Sequence, residues 1–194
     1  MNMSRERVLA ISIATAVVAF IVTLGVTLGI RGRSSSPAPP ATTAPVPAAS
    51  AAARKIKAKL YYVSTDGTKL TGVDREVAYG EGMSAQAQEI VSAQLAAAPA
   101  PLVSAIPAGT RLRALYVTEK GEAYVDLSKE ASSAHTGGSQ DELLTIYAIV
   151  NALTSNLPAV TAVQLLVDGK EVNTLAGHID LRRPLGKNLD IISE

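Results

Sequence analysis

The sequence predicts an α+β domain in which two helices pack on a mainly antiparallel sheet, with the element order β-β-α-β-β-α-β-β. A transmembrane helix and a disordered linker are predicted to precede it. Three observations support this class: alternating apolar segments occur in pairs around glycine-containing turns, two segments carry apolar residues at helical spacing, and both helical segments end at prolines. Strand pairs form antiparallel hairpins, and helices between the pairs can cover one face of the sheet.

An uncharged apolar segment, residues 8–30, precedes the domain. As a helix it is long enough to cross the roughly 30 Å hydrocarbon core of a membrane. It exceeds the apolar core of a signal peptide, about 7–15 residues, and Arg31 and Arg33 follow it directly, so we favour an uncleaved anchor. Arginines flank both ends, but a short tail, residues 1–7, and a large C-terminal part favour the N-in orientation. The sequence therefore predicts a single-pass protein of the cytoplasmic membrane, with a cytoplasmic tail and an extracytoplasmic C-terminal domain.

Residues 31–53 form the predicted linker. They include five prolines, many alanines and no acidic residue, a composition that tends towards polyproline II and cannot bury a core. Fully extended, the linker would reach on the order of 70 Å from the membrane. An unstructured tether without a defined reach fits the same composition.

The predicted domain, residues 54–194, has a formal charge near −2, which disfavours nucleic acid as a partner. The chain has no cysteine, which excludes disulfides, thiolate zinc sites, a cysteine nucleophile and a lipid-carrying cysteine. With no tryptophan and one phenylalanine, tyrosines would have to supply any stacking surface. The composition suggests no cofactor.

The first half of the domain is predicted to be a hairpin followed by a helix. Residues 57–63 alternate in part, an Asp-Gly turn follows at 66–67, and a second strand runs on from it. Ser84 is predicted to cap the helix, which ends before Pro99. The apolar residues on one face of this helix are Ala87, Ile90, Val91 and Leu95.

A second hairpin is predicted over residues 112–128. A β-prone run over 112–117 leads into a tight turn at 119–122, after which apolar and polar residues alternate. This alternation places Asp126 and Ser128 on the same side of the strand.

The second helix is predicted to begin at a capping box. Ser139 and Glu142 have the required S-x-x-E spacing, and Pro158 ends the helix. A stripe of apolar residues should lie against the sheet: Leu143, Ile146, Tyr147, Val150, Leu153 and Leu157. A strand then leads into the turn at 168–169, and a last strand or extended arm completes the domain.

Five short pieces of the domain occur in a recognisable order. They are P-x-G-T at 107–110, VDLS at 125–128, Gly137-Gly138 before an acidic helix start, VDGK at 167–170, and Gly177-His178. Together with the surrounding sequence, they resemble the sporulation and germination domain called GerMN, over about residues 58–185. The residues that carry this resemblance, interpreted as structural, are Pro107, Gly109, Asp126, Ser128, Gly137, Gly138, Ser139, Asp168, Gly169, Gly177 and His178.

The resemblance implies a non-enzymatic module outside the cytoplasmic membrane, in envelope proteins of sporulation, germination or cell-wall-associated processes. Such domains look like assembly or interaction modules. Relatives often reach the membrane through a lipidated cysteine, whereas this chain has a predicted transmembrane segment and no cysteine.

Asp126, Ser128, His135 and Ser139 supply the residue types of a hydrolase within one short stretch. Nothing resembles a G-x-S-x-G elbow, and small residues and glycines around His135 indicate a mobile loop. We therefore predict no catalytic residue. Instead, we expect Asp126 or Ser128 to bond loop backbone groups, the two glycines to supply unusual dihedrals, and Ser139 to cap the helix.

The second histidine, His178, lies close to Asp180, but no spacing typical of a metal site follows, so we predict no bound metal. Arg182-Arg183 could contact an anionic partner but is more typical of a solvated edge.

Anchor, linker and domain in this order suggest an envelope protein that displays a non-catalytic interaction or assembly module. The predicted partners are the membrane, through the N-terminal helix, and either an unknown envelope protein or a second copy, through exposed sheet edges. Two alternatives stay open: a cell-wall hydrolase, and a glycan or small-ligand sensor with a tyrosine-lined pocket.

Overall fold

The computed structural model describes residues 54–193. The predicted tail, anchor (8–30) and linker lie outside these residues. Within the described part of the chain, no helix is both long enough and apolar enough to cross a membrane.

Seven strands and three helices make up residues 54–193. In chain order they are β1 (Lys55–Val63), β2 (Leu70–Ala78), α1 (Met83–Leu95), β3 (Leu112–Val117), β4 (Glu122–Leu127), α2 (Glu130–Ser133), α3 (Ser139–Asn156), β5 (Ala162–Val167), β6 (Lys170–Glu171) and β7 (Leu185–Gly186). The α+β class is confirmed. The short helix α2 was not predicted, and it occupies part of the stretch expected to be a loop.

The strands form two hydrogen-bonded sheets, where the sequence predicted one. β1 and β2 form an antiparallel pair, and the second sheet has the order β3-β4-β5-β6 with β7 also paired to β5. β4 and β5 run parallel, with Val125 opposite Leu165. The chain between them contains α2 and α3, long enough for the crossover that a parallel pair requires. All other pairs are antiparallel.

Helix α3 lies at the centre of the core. It contacts β1 of one sheet, β5 of the other and helix α1. The predicted apolar stripe is only partly right, because Leu143, Tyr147 and Leu157 are half-buried. Eleven of the eighteen residues of α3 are buried, including the polar side chains of Glu142 and Asn151. Because both sheets and a helix surround α3, its polar side chains must bond to protein groups rather than to water.

Side-chain amides close the outer edge of β1 at Lys59 and Tyr61. The Lys59 N–H donates to Asn156 Oδ1 (2.7 Å), and Asn156 Nδ2 donates back to the Lys59 carbonyl (2.8 Å). Gln94 forms the same two-way contact with Tyr61, at 2.8 and 2.7 Å. Further along, the Val63 N–H donates to the Val103 carbonyl. The two helices and the segment at Val103 thus occupy backbone groups that would otherwise bond to another strand.

The outer edge of β3 is closed in a similar way by α1. Gln88 Nε2 donates to the Leu115 carbonyl (3.2 Å), and the Val117 N–H donates to Ser84 Oγ (3.1 Å). The prediction that Ser84 caps its own helix is therefore wrong. The N-cap is Gly82, with φ 85°. The Ser84 hydroxyl instead accepts a hydrogen bond from the neighbouring strand β3.

The predicted capping box of α3 is also wrong. The N-cap is Gly138, without a side-chain cap bond, so Ser139 does not cap the helix, and the Glu142 carboxylate bonds to a distant loop. The unusual dihedrals expected of Gly137 and Gly138 are present, with φ 87° and 93°. These two glycines turn the chain into the helix in the left-handed region that side chains disfavour.

Candidate functional site

The Ser128 hydroxyl closes the open end of the β3–β4 hairpin. Its oxygen accepts the Arg111 N–H at 3.0 Å, and the Ser128 N–H donates to the Arg111 carbonyl at 2.9 Å. The same hydroxyl lowers the pKa of the Glu130 carboxyl by hydrogen bonding to it. The oxygen therefore has structural partners in Arg111, which precedes β3, and Glu130 of α2, and the described residues bring no imidazole to it.

Asp126 holds the turn that follows β5. Its Oδ1 accepts the Gly169 N–H at 2.7 Å, and its Oδ2 accepts from Arg113 Nε at 3.0 Å. Arg113 Nη1 also donates to Asp168 Oδ1 at 3.0 Å. We call this cluster of Arg113, Asp126, Asp168 and Gly169 the Arg113 junction.

The parallel register explains why the Arg113 junction forms. It sets Asp126 of β4 opposite Leu166 of β5, so that the turn after β5 reaches the end of β4. In this turn Asp168 has φ 50°. The hydrogen bond from Arg113 to Asp126, with the charge of the same carboxylate, raises the pKa of the guanidinium. Sequence reasoning found both aspartates but missed Arg113, whose only signal is its place on the strand that pairs with β4.

His135 is held through both ring nitrogens. The Gly137 N–H donates to Nδ1 at 3.0 Å, so Nδ1 carries no proton and the neutral ring has its proton on Nε2. Nε2 lies 3.2 Å from Thr145 Oγ1, which in turn donates to the Ala105 carbonyl at 2.6 Å. The imidazole thus links the loop before α3, helix α3 itself and the loop that contains Ala105. Neither ring nitrogen bonds to Ser128, Ser139 or Asp126.

Glu142 is a buried carboxylate that holds a distant loop. Its Oε1 accepts the N–H groups of Leu175 and Ala176 at 2.8 and 2.9 Å. Its Oε2 accepts the His178 N–H at 2.8 Å and lies 3.2 Å from His178 Nδ1, which must carry the proton. We call this arrangement the Glu142 node.

The charge of Glu142 is stabilised within the fold. Burial alone raises the pKa of this carboxyl, but the N–H groups of Ala176, His178 and Leu175 together outweigh burial, so the net pKa is lowered. His178 therefore belongs to the Glu142 node, and Gly177, whose N–H donates to Thr174 Oγ1, lies in the loop that the node anchors. Sequence reasoning saw the glycine-histidine pair and the glutamate separately, without their contact.

The remaining candidate residues have local roles. The Pro107 carbonyl accepts from the N–H and the hydroxyl of Thr110, at 3.2 and 2.7 Å, in a turn where Gly109 has φ 83°. Asp180 pairs with exposed Arg182, whose hydrogen bonds lower the pKa of the carboxyl, as is typical of a solvated edge. Within residues 54–193, acidic and histidine side chains form no cluster of three or more that could hold a metal ion.

A cavity of about 350 Å³ adjoins His135. Its lining combines apolar side chains with a few polar ones: Val63, Gly67, Val103, Ser104, Ala105, Ile106, Pro107, Ala134, His135, Thr136, Asp141, Leu144 and Thr145. No tyrosine is among them, and the imidazole and the Thr145 hydroxyl already bond to each other. The cavity is large enough for a small ligand, but it presents no aligned nucleophile and base.

A known protein family matches most of the described domain. The family model described as "Germane: Sporulation and spore germination" matches residues 59–173, more than half of the chain. No curated protein matches the chain.

Solved structures of GerMN domains share the fold. The first GerMN domain of the sporulation protein GerM from Bacillus subtilis superposes with a TM-score of 0.52 at 17% identity, covering 68% of this chain and 97% of that one. The tandem GerMN domains of the same protein give 0.53 at 17% identity, covering 71% of this chain and 48% of theirs. A Clostridium perfringens protein described as a candidate lipoprotein gives 0.49 at 24% identity, covering 69% and 88%. The predicted GerMN resemblance is thus confirmed at the level of the domain.

Proposed function

Because the chain belongs to the Germane family of sporulation and spore germination domains, we propose that it is a membrane-anchored envelope protein whose domain is a non-catalytic interaction or assembly module. Its processes would be sporulation, germination or other cell-wall-associated events. The apolar segment at residues 8–30 would place it in the cytoplasmic membrane with the domain on the outer side.

One observation carries the non-catalytic part of the proposal: the candidate catalytic side chains are engaged in holding the fold. The Ser128 oxygen accepts a backbone N–H, Asp126 accepts from Arg113 and Gly169, and His135 Nδ1 accepts from Gly137. A serine hydrolase needs a hydroxyl bonded to an imidazole that a carboxylate orients. Here the three groups have three separate sets of partners.

The anchoring is tested with the full chain in cell membranes. We expect the protein to stay in the membrane fraction after alkaline extraction, and external protease to cleave its domain in cells stripped of wall. Deletion of residues 8–30 should release it. A full chain that alkaline extraction releases would contradict the anchor, and a domain protected from external protease would contradict the orientation.

The module is tested by crosslinking in intact cells. We expect the full chain to capture an envelope protein or a second copy of itself. Ser128→Ala should capture the same species, and neither chain should release fragments from purified cell wall. A wall-degrading activity that Ser128→Ala abolishes without unfolding the domain would instead establish the hydrolase.

Small-ligand binding is a second candidate, favoured by the cavity beside His135. The absence of tyrosine from its lining argues against a sugar ring stacked on an aromatic face. A panel of soluble wall fragments that raises the Tm of the wild-type chain, but not of Leu144→Phe, would support this function. No change in Tm with any fragment would count against it.

A further inference from the structure

The backbone bonds around β1 and β2 show which sheet edges can accept another strand. Along β1, the N–H and carbonyl groups of Lys59 and Tyr61 point away from β2 and bond to helix side chains. Because strand residues alternate in direction, the residues opposite them on β2 also point outward from the pair. These outward-facing positions begin at Leu70 and recur at every second residue of β2.

The two ends of this outer edge of β2 are covered. At one end, the Leu70 N–H donates to the Ile191 carbonyl and the Ser193 N–H donates to the Leu70 carbonyl, so the C-terminal residues form an isolated parallel bridge with the edge. At the other end, Gln86 Nε2 donates to the Ala78 carbonyl. Between them, the outward backbone groups of Gly72, Asp74 and Glu76 have no partner among residues 54–193. We call these three residues the open β2 edge.

The side chains of the open β2 edge indicate which strand it would accept. Asp74 and Glu76 are 54% and 70% exposed. On the side that pairs with β1, these two residues already face lysines, which alternate with apolar residues over positions 55–59. Lys59 Nζ lies 3.8 Å from Asp74, and Lys55 Nζ lies 3.0 Å from Glu76. A carboxylate can accept several donors, so a second basic strand fits the opposite side.

A second copy of the chain fits this edge poorly. In a twofold antiparallel pairing, outward-facing residues lie opposite each other. The covered Leu70 excludes an axis at residue 72 or 73, and the covered Ala78 excludes one at residue 77. The axis must therefore pass at residue 74, 75 or 76, and each of these registers places acidic side chains of the two copies directly opposite each other. The acidic residues thus disfavour self-pairing while leaving the edge open to a basic strand.

We propose that the open β2 edge is a docking site for an extended segment of a partner protein, with basic residues two positions apart and apolar residues between them. Its backbone would pair with Gly72, Asp74 and Glu76, and its basic side chains would face the two carboxylates. This inference rests on the proposed function as an interaction module, for which it names the surface and the chemistry of the partner.

The test uses the purified full chain in detergent and a fluorescent peptide of alternating lysine and valine. We expect the peptide to bind and to protect the amides of Gly72, Asp74 and Glu76 from hydrogen exchange. A peptide of alternating glutamate and valine should not bind. The lysine peptide methylated at alternate backbone nitrogens loses its donors, so its affinity should fall at least about tenfold. Equal binding of the methylated peptide, or binding without protection of these amides, would overturn the proposal.

Variants locate the site. Asp74→Pro removes an outward N–H without removing a bond to β1, and Asp74→Lys reverses the charge. We expect each to weaken peptide binding at least about fivefold, whereas Glu171→Lys, an exposed strand residue of the other sheet, should leave it unchanged. If Asp74→Pro unfolds, the methylated peptide still decides the question. If the chain forms a dimer that dissociates on Asp74→Lys substitution, the edge binds a second copy, and the proposal of a basic partner is overturned.

The same variants separate this inference from the proposed function. If Asp74→Pro and Asp74→Lys capture the same envelope protein in cells as the wild type, the module stands and the docking site is overturned. If the variants alone lose the captured protein, the site is supported. Failure of every chain to capture a protein overturns the proposed function itself.

Discussion

Two clusters of polar residues hold loops of this domain, and they differ in burial. The Glu142 node holds the loop at 175–178 with a side chain that is 0% exposed. The Arg113 junction holds the turn at 168–169 with an arginine that is 49% exposed. Both use carboxylates, and both contain residues of the family motifs.

The difference in burial determines what each cluster contributes to stability. The Glu142 carboxylate is buried, and so is its hydrogen bond from the Leu175 N–H, so losing the carboxylate leaves this donor without a partner. Around Arg113, water can replace each bond, and exposed ion pairs contribute little. The number of hydrogen bonds is similar in the two clusters, so burial, rather than bond count, should rank the effects of substitution.

The largest effect is expected from Glu142→Gln. The amide keeps the shape but loses the charge, and its NH₂ group faces N–H donors. We expect unfolding to become easier by about 3 kcal/mol, with a fall in Tm on the order of 10 °C. Thermal and urea unfolding measure both quantities. Glu171→Gln, an exposed glutamate on β6, is the matched control, and equal Tm values for the two variants would show that the node contributes nothing.

The pH dependence of stability gives a second test of the same node. The pKa of Glu142 is lowered in the fold from its ordinary 4.5. Its stabilising contribution is therefore complete above pH 4.5 and is lost as the pH falls through the lower folded value. The difference in unfolding free energy between wild type and Glu142→Gln should shrink as the pH falls below 4.5. A constant difference from neutral to acid pH would contradict the assignment.

The Glu142 node also shows where sequence reasoning failed. Ser139 and Glu142 have the spacing of a capping box, which is a local signal, whereas the carboxylate bonds to a loop more than thirty residues away. Local spacing cannot reveal a distant partner. The sequence did identify the two helices, both hairpins and the glycine turn before α3, because each depends on neighbouring residues.

The arrangement of the strands was harder to predict for a related reason. The predicted order treated β4 and β5 as members of successive hairpins, but they pair in parallel. The long helix between them is the signal that could have revealed this, since parallel neighbours need such a crossover. The closing of the β1 edge by Gln94 and Asn156 left no comparable trace, because glutamine and asparagine on a helix are typical of a solvated face.

At the Arg113 junction, a pair of variants separates the two bonds of Asp126. Asp126→Asn keeps an acceptor for the Gly169 N–H and loses the ion pair, so we expect a loss of about 1 kcal/mol or less. Asp126→Ala loses both contacts, and the loss should rise to about 2 kcal/mol. Urea unfolding of both variants measures the difference. Equal losses would mean that the bond to Gly169 contributes nothing, contrary to the 2.7 Å geometry.

The smallest effect is expected from Arg113→Lys. Lysine keeps the charge but has no planar fork, so it cannot make the two 3.0 Å contacts to Asp126 and Asp168 in the same geometry. At low salt the fall in Tm should be a small fraction of that of Glu142→Gln, and at high salt it should vanish, because salt screens exposed charges. The effect of Glu142→Gln should persist at high salt, since the carboxylate itself is buried and its partners are backbone N–H groups. If salt removed both effects equally, burial would not be what distinguishes the two clusters.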